Sequence, residues 1–144
     1  MTKQILTVAA ALAFTALAPA QSHAQQITRA KVPFAFQVAN TTMPAGEYQI
    51  GRALPSNKEV QQIRSADGSA ATFVLTNSTE SRNKADAKSR LIFHCYGKEC
   101  FLSEIWTGNG AGMKLEVSRR EKEVSHASTD NELAVVSVPL TIRP

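Results

Sequence analysis

Two alternating apolar runs meet at a glycine. Leu91-Ile92-Phe93-His94-Cys95-Tyr96 and Glu99-Cys100-Phe101-Leu102-Ser103-Glu104-Ile105-Trp106 flank the dipeptide Gly97-Lys98. Period-two alternation on both sides of a glycine reads as a β-hairpin, and glycine at the first central position of a two-residue loop suits a type II′ turn. Tyr96 then faces Glu99. The next pair outward is Cys95 with Cys100, a non-hydrogen-bonded pair whose Cα atoms approach to about 4.5 Å. That lies within the roughly 4.4–6.8 Å a disulfide tolerates. Register and spacing therefore predict a structural Cys95–Cys100 bond. Four residues separate the cysteines, unlike the C-x-x-C of thiol oxidoreductases. The same register places Leu91, Phe93, Leu102, Glu104 and Trp106 on one face, and Ile92, His94, Tyr96, Phe101 and Ile105 on the other. A hairpin apolar on both faces must be covered on both, so it belongs inside a larger β structure.

The rest of the chain repeats the period. Val32, Phe34, Phe36 and Val38 share one face of a strand that begins at or near Pro33, which has no N–H for a ladder. Met43-Pro44-Ala45-Gly46 is a turn, and Tyr48 and Ile50 follow at alternate positions, which predicts a hairpin of 31–39 with 47–52. Residues 60–64 form a third strand, closed by Asp67-Gly68. Residues 71–76 form another, with Phe73 and Leu75 on one face and Val74 on the other. From Asn77 to Ser89 no apolar side chain exceeds alanine, which reads as an exposed loop. Gly108-Asn109-Gly110-Ala111-Gly112 turns into a strand carrying Met113, Leu115 and Val117. Residues 118–130 suit one or two helical turns or a solvated loop. A last strand spans 133–142. No stretch of the chain after residue 24 keeps a 3.6-residue period, so the expected fold is all-β: one small antiparallel β-sandwich or β-barrel of about eight strands, covering 25–144.

The first 24 residues read as an address. Lys3 precedes an apolar run from Ile5 to Ala18, Pro19 ends it, and Ser22 and Ala24 supply small residues before a cut at Gln25. Ala18-Pro19-Ala20 offers a second cut before Gln21. The run is too short for a transmembrane helix, and no other run approaches the ~20 residues one needs. The chain is thus expected to be exported, periplasmic or extracellular, where a disulfide persists. Removing 1–24 takes Lys3 with it and leaves 15 basic against 12 acidic residues. These charges are scattered, and Arg119-Arg120 is answered by Glu121 and Glu123. A nucleic-acid partner normally shows as a basic stripe with stacking aromatics, and no such stripe is present.

No nucleophile elbow, zinc-protease motif, phosphate loop or dinucleotide fingerprint occurs. Catalytic, cofactor and metal residues are accordingly assigned to none. His94, Cys95 and Cys100 are the one cluster of metal-ligand types, but neighbouring strand residues point to opposite faces, so His94 and Cys95 diverge. Glu104 is either a paired structural acid or a functional one.

Three segments together, Val32-Pro33-Phe34-Ala35-Phe36-Gln37-Val38, Met43-Pro44-Ala45-Gly46-Glu47-Tyr48 and Phe101-Leu102-Ser103-Glu104-Ile105-Trp106, resemble the V-P-F-x-F-x-V … L-P-A-G-x-Y … F-L-x-x-x-W pattern of short exported hypothetical proteins of acidobacteria. The resemblance covers most of the chain after residue 24 and implies export. It brings no catalytic residue or cofactor. Met43 stands where the pattern has leucine, and the two cysteines occupy positions where it has other residues.

These observations favour a non-catalytic exported protein that binds a partner or serves a structural role at the cell envelope. Two alternatives differ in kind. One is a subunit of a self-associating surface assembly, joined through a strand edge or the N-terminal strand. The other is a small carbohydrate-active hydrolase using acids such as Glu104 and Glu116, which would need carboxylates roughly 5–9.5 Å apart.

Overall fold

A computed structural model of the chain describes residues 27–81, 88–128 and 133–143. The expected signal segment lies outside the described residues. The strands, in chain order, are β1 (Ile27–Val32), β2 (Phe36–Val38), β3 (Thr41–Met43), β4 (Gly46–Leu54), β5 (Asn57–Ser65), β6 (Ala71–Glu80), β7 (Arg90–Tyr96), β8 (Glu99–Gly108), β9 (Ala111–Leu115) and β10 (Leu133–Arg143), with helix α1 (Arg119–Ala127) before the last. The strand order β8-β7-β10-β1-β4-β5-β6-β9 returns to β8 through β8–β9 pairing, so eight strands close into an antiparallel barrel. Of the two architectures the sequence allowed, the barrel is the one formed. Closure removes the bare edges that an open sheet would carry.

The first predicted hairpin is corrected in one respect. Alternation does place Val32, Phe36 and Val38 in the core, but the strand is not continuous. It ends at Val32, where Pro33 interrupts the ladder, and only β1 pairs with β4, from Val32 opposite Gly46 to Thr28 opposite Ile50. The chain then leaves the barrel wall. β2 pairs with β3 and touches the ring through a single parallel pair, Gln37 with Phe101 of β8. This excursion crosses the barrel end: Thr41 Oγ1 lies 3.3 Å from Thr72 Oγ1 on β6. Phe36 meets Tyr48 and Phe93 edge-on at 5.1 and 5.2 Å, and Phe34 meets Phe93 at 5.2 Å. The β2–β3 excursion is thus an apolar plug, and the Tyr48 hydroxyl, donating to the Pro44 carbonyl, ties its return to β4.

Inside the ring the core runs through Ala30, Val32, Met43, Tyr48, Ile50, Ile63, Val74, Leu91, Phe93, Leu102, Ile105, Leu115, Val138 and Leu140. The outer wall carries Arg29, Lys31, Glu47, Gln49, Gln62 and Arg64, paired across β1, β4 and β5. That is the reverse of a barrel whose apolar belt meets lipid all round. Among the described residues no helix is long and apolar enough to cross a membrane.

The loop expected over 77–89 is also corrected. Asn77 to Glu80 complete β6 and pair with Lys114 to Ala111 of β9. Their polar side chains do not prevent this, because the ladder is a main-chain bond and the outer wall is solvated. Residues 82–87 of the expected loop lie outside the described residues.

Candidate functional site

The stapled hairpin forms as its spacing predicts. Cys95 pairs with Cys100 and Tyr96 with Glu99. The two sulfurs are bonded, with the Cα atoms 4.0 Å apart. Gly97 takes a φ of +61° and Lys98 stays at negative φ, which is the type II′ arrangement and the reason glycine stands there. The bond consumes both thiols. Among the described residues no group of three or more His, Cys, Asp or Glu side chains is placed to hold a metal ion.

The predicted faces hold as far as Leu102 and are reversed from Glu104 onward, and the cause is one residue. Phe93 pairs with Leu102, but Ile92 pairs with Glu104, so Ser103 is an extra residue on β8. A β-bulge of this kind reverses the facing of everything that follows. Ile105 therefore joins Leu91, Phe93 and Leu102 in the core, while Glu104 and Trp106 turn to the outer wall. The bulge also divides the neighbours of β8: β2 lies beside Phe101, and β9 pairs from Glu104 onward.

Trp106 is nevertheless only 7% exposed. Its ring lies over Gly112, where a Cβ would sit 2.7 Å from a ring carbon, so this position requires glycine. Its Nε1 donates to Glu104 Oε2 at 2.8 Å, and Lys114 Nζ lies 3.6 Å from Glu104 Oε1. Both Glu104 oxygens thus have partners, and the residue serves as a clasp between β8 and β9.

The outer face of the first half of the hairpin is covered by the chain itself. Ser118 caps α1 by accepting from the Glu121 N–H at 3.1 Å. Glu121 is the only residue of this helix that is buried, at 4% exposure. Its Oε1 lies 3.4 Å from His94 Nδ1, and Tyr96 also interacts with the carboxylate. Burial raises the Glu121 pKa above the usual carboxylate value, and the attraction to His94 offsets part of that. Beside it Arg120 grips Glu99 with two bonds, of 2.7 and 3.1 Å, and Gln37 Nε2 donates to the same carboxylate at 3.2 Å. Polar clasps from β2 and α1 therefore close over this wall. Phe101, which points outward beside the Tyr96 ring, is only 2% exposed.

The outer face of β5 and β6 has no such cover. Val74 and Thr76 turn inward, the Thr76 hydroxyl donating to the Glu59 carbonyl at 2.9 Å. Phe73 and Leu75 turn outward and are 60% and 66% exposed. Leu75 pairs with Val60 and Phe73 with Gln62, so the three apolar side chains form one ridge. Lys58 and Arg64 stand on the same face of β5, one at each end. Sequence alternation separated Phe73 and Leu75 from Val74 without deciding which side faces water.

Where the remaining candidates fall is plain. His94 is on the outer wall against Glu121, away from Cys95 in the core. Glu116 is exposed just beyond β9. The fold and the bonded hairpin define a small, closed, disulfide-stapled antiparallel barrel. Comparison with family models, curated proteins and solved structures finds no match for this chain.

Proposed function

We propose that this chain is an exported, non-catalytic barrel that acts through its outer wall, binding or serving a structural role at the cell envelope. The observation that carries the reading is the contrast between a filled interior and a bare ridge. Tyr48, Phe36, Phe93, Met43 and Ile63 occupy the barrel lumen with almost no exposure, which leaves the outside for recognition. There Phe73 and Leu75 stand in water on a rigid strand, an arrangement that marks interaction surfaces on soluble proteins. Export is supported by Lys3, the apolar run 5–18 and the small residues Ser22 and Ala24, and the Cys95–Cys100 bond is compatible with an oxidising compartment. The resemblance to short exported acidobacterial proteins points the same way.

Self-association is the second reading, and the ridge is what favours it. β1 is paired on both sides, with β4 and β10, so an assembly through the described part of the N-terminal strand has no free ladder to use. Face-to-face contact through Phe73 and Leu75 is a route that needs no free ladder.

The test of the main reading is fractionation of cells making the full chain, with N-terminal sequencing. The expected product begins at Gln25, or at Gln21, lies outside the cytoplasm and has no free thiol. An intact Met1 start in the cytoplasm overturns it.

A further inference from the structure

We infer that the Phe73–Leu75 ridge docks on an anionic phospholipid surface. The inference rests on the outer-wall reading above and names the partner of that wall. Its first support is shape. Phe73, Leu75 and Val60 project from two adjacent paired strands, so they form a fixed convex ridge with no loop to be ordered on binding. Gly51 pairs with Gln62 on the neighbouring strand, and the space directly above it is open.

Its second support is charge. Lys58 and Arg64 lie on the ridge face of β5, six residues apart, which at about 3.3 Å per residue spans ~20 Å. Both are exposed, and among the described residues neither is ion-paired. On the other flank Lys114 is engaged by Glu104, and Glu116 is exposed just beyond β9. The ridge face is therefore apolar in the middle with a basic side chain at each end, Arg64 lying over Gly68 of the turn that holds Asp67. Long basic side chains that flank an apolar strip can keep their charges at headgroup level while the strip enters the interface.

The same pattern disfavours a second copy of the chain. A two-fold contact through this ridge brings strands together either parallel or antiparallel. With a cation at each end, both orientations set like charges against one another, Lys58 on Lys58 or Lys58 on Arg64. A surface of phosphate charges complements both ends at once.

The experiment is co-sedimentation of the exported, oxidised protein with large vesicles of phosphatidylcholine alone or mixed equally with phosphatidylglycerol. The expected result is binding to the mixed vesicles at low salt, little binding to phosphatidylcholine, and release by high salt. Lys58→Gln with Arg64→Gln should weaken binding by about 10-fold or more, from the contribution of each basic residue near an anionic surface. Phe73→Ser with Leu75→Ser should weaken it at least as much. Both changes lie on exposed positions, and circular dichroism checks that the variants fold. Equal binding to both vesicle types, no binding to either, or binding indifferent to Phe73→Ser with Leu75→Ser overturns the inference. If the wild type binds no vesicle but its native mass is a dimer that Phe73→Ser with Leu75→Ser makes monomeric, the occupant is a second copy. The lipid inference then fails while the outer-wall reading stands. Cytoplasmic retention, measured separately, would strike that reading itself.

Discussion

Two walls of one barrel obey the same alternation and end differently. Outside β7–β8, the apolar Phe101 and Trp106 point away from the core yet are buried, by the β2 plug and α1 clasps in one case and by Gly112 in the other. Outside β5–β6, Phe73 and Leu75 point away from the core and stay bare. The difference lies in what the chain supplies around each wall. Around the hairpin it places Gln37, Arg120 and Glu121, which reach Glu99 and His94. Around the ridge it places Lys58 and Arg64, with Asp67 held in the turn beyond Arg64, and nothing among the described residues covers Phe73 and Leu75. An outward apolar residue is thus a packing residue where the fold covers it and stays open to solvent where it does not.

The largest expected effect breaks the covered wall. Phe101→Ala should cost about 3 kcal/mol, as for a core aromatic, because the side chain is enclosed. Phe73→Ala, the same change on the bare wall, should alter stability by no more than about 0.5 kcal/mol. Urea unfolding of both variants measures this directly, and similar losses would erase the distinction between the walls.

Next comes the staple. Cys95→Ser with Cys100→Ser should leave a folded protein that is less stable by about 2 kcal/mol, the chain-entropy value for so small a ring. A loss of that order should also follow reduction of the wild type, read as a lowered Tm. The bare ridge should be unaffected, so vesicle binding should survive wherever the variant is folded.

A smaller effect, and one with a sign, concerns the helix clasp. His94→Ala leaves the buried Glu121 carboxylate without its nearest polar neighbour, which should cost about 1 kcal/mol, less than for a fully enclosed group because His94 is partly exposed. The folded pKa of Glu121 already lies above its ordinary value of 4.5. The folded state therefore binds this proton more tightly than the unfolded one, and stability owed to Glu121 rises as pH falls through the raised value toward 4.5. The cost of His94→Ala should shrink across the same window. The turn beside the bare wall should show the opposite slope. Asp67, which accepts from the Ser65 hydroxyl and from the Ser69 N–H and hydroxyl, is held at about 2 against an ordinary 3.8. Its contribution is complete above 3.8 and is lost as pH falls toward 2. Amide exchange of 65–70 and of α1, each corrected for intrinsic rate, separates the two.

The hairpin was legible because Gly97-Lys98 sets its register from the turn outward, and the disulfide follows from that register alone. The reading failed at Ser103, where nothing in the residue types announces an inserted position, and every facing beyond it is reversed. Alternation likewise assigned Phe73 and Leu75 to one side but not to the outside, since the inward choice depends on Thr76 finding the Glu59 carbonyl across the sheet. Asn77 to Glu80 read as loop by composition because a ladder is made by main chain, which composition does not see. Glu121 was illegible for a further reason. A glutamate in a charged run reads as solvated, and only the arrival of His94 and Tyr96 from β7 makes its burial tolerable. The two cations that frame the ridge are unremarkable in sequence, since β5 must lie against β6 before Lys58 and Arg64 bracket Phe73.

The central claim, that the outer wall is covered by the chain at Phe101 and uncovered at Phe73, is tested most directly by hydroxyl-radical footprinting of the oxidised protein, read by mass spectrometry at single residues. The account predicts labelling of Phe73 and Leu75 at least ten times that of Phe101 in the free protein, and loss of that labelling on vesicles containing phosphatidylglycerol. Equal labelling of Phe73 and Phe101 in the free protein would contradict it.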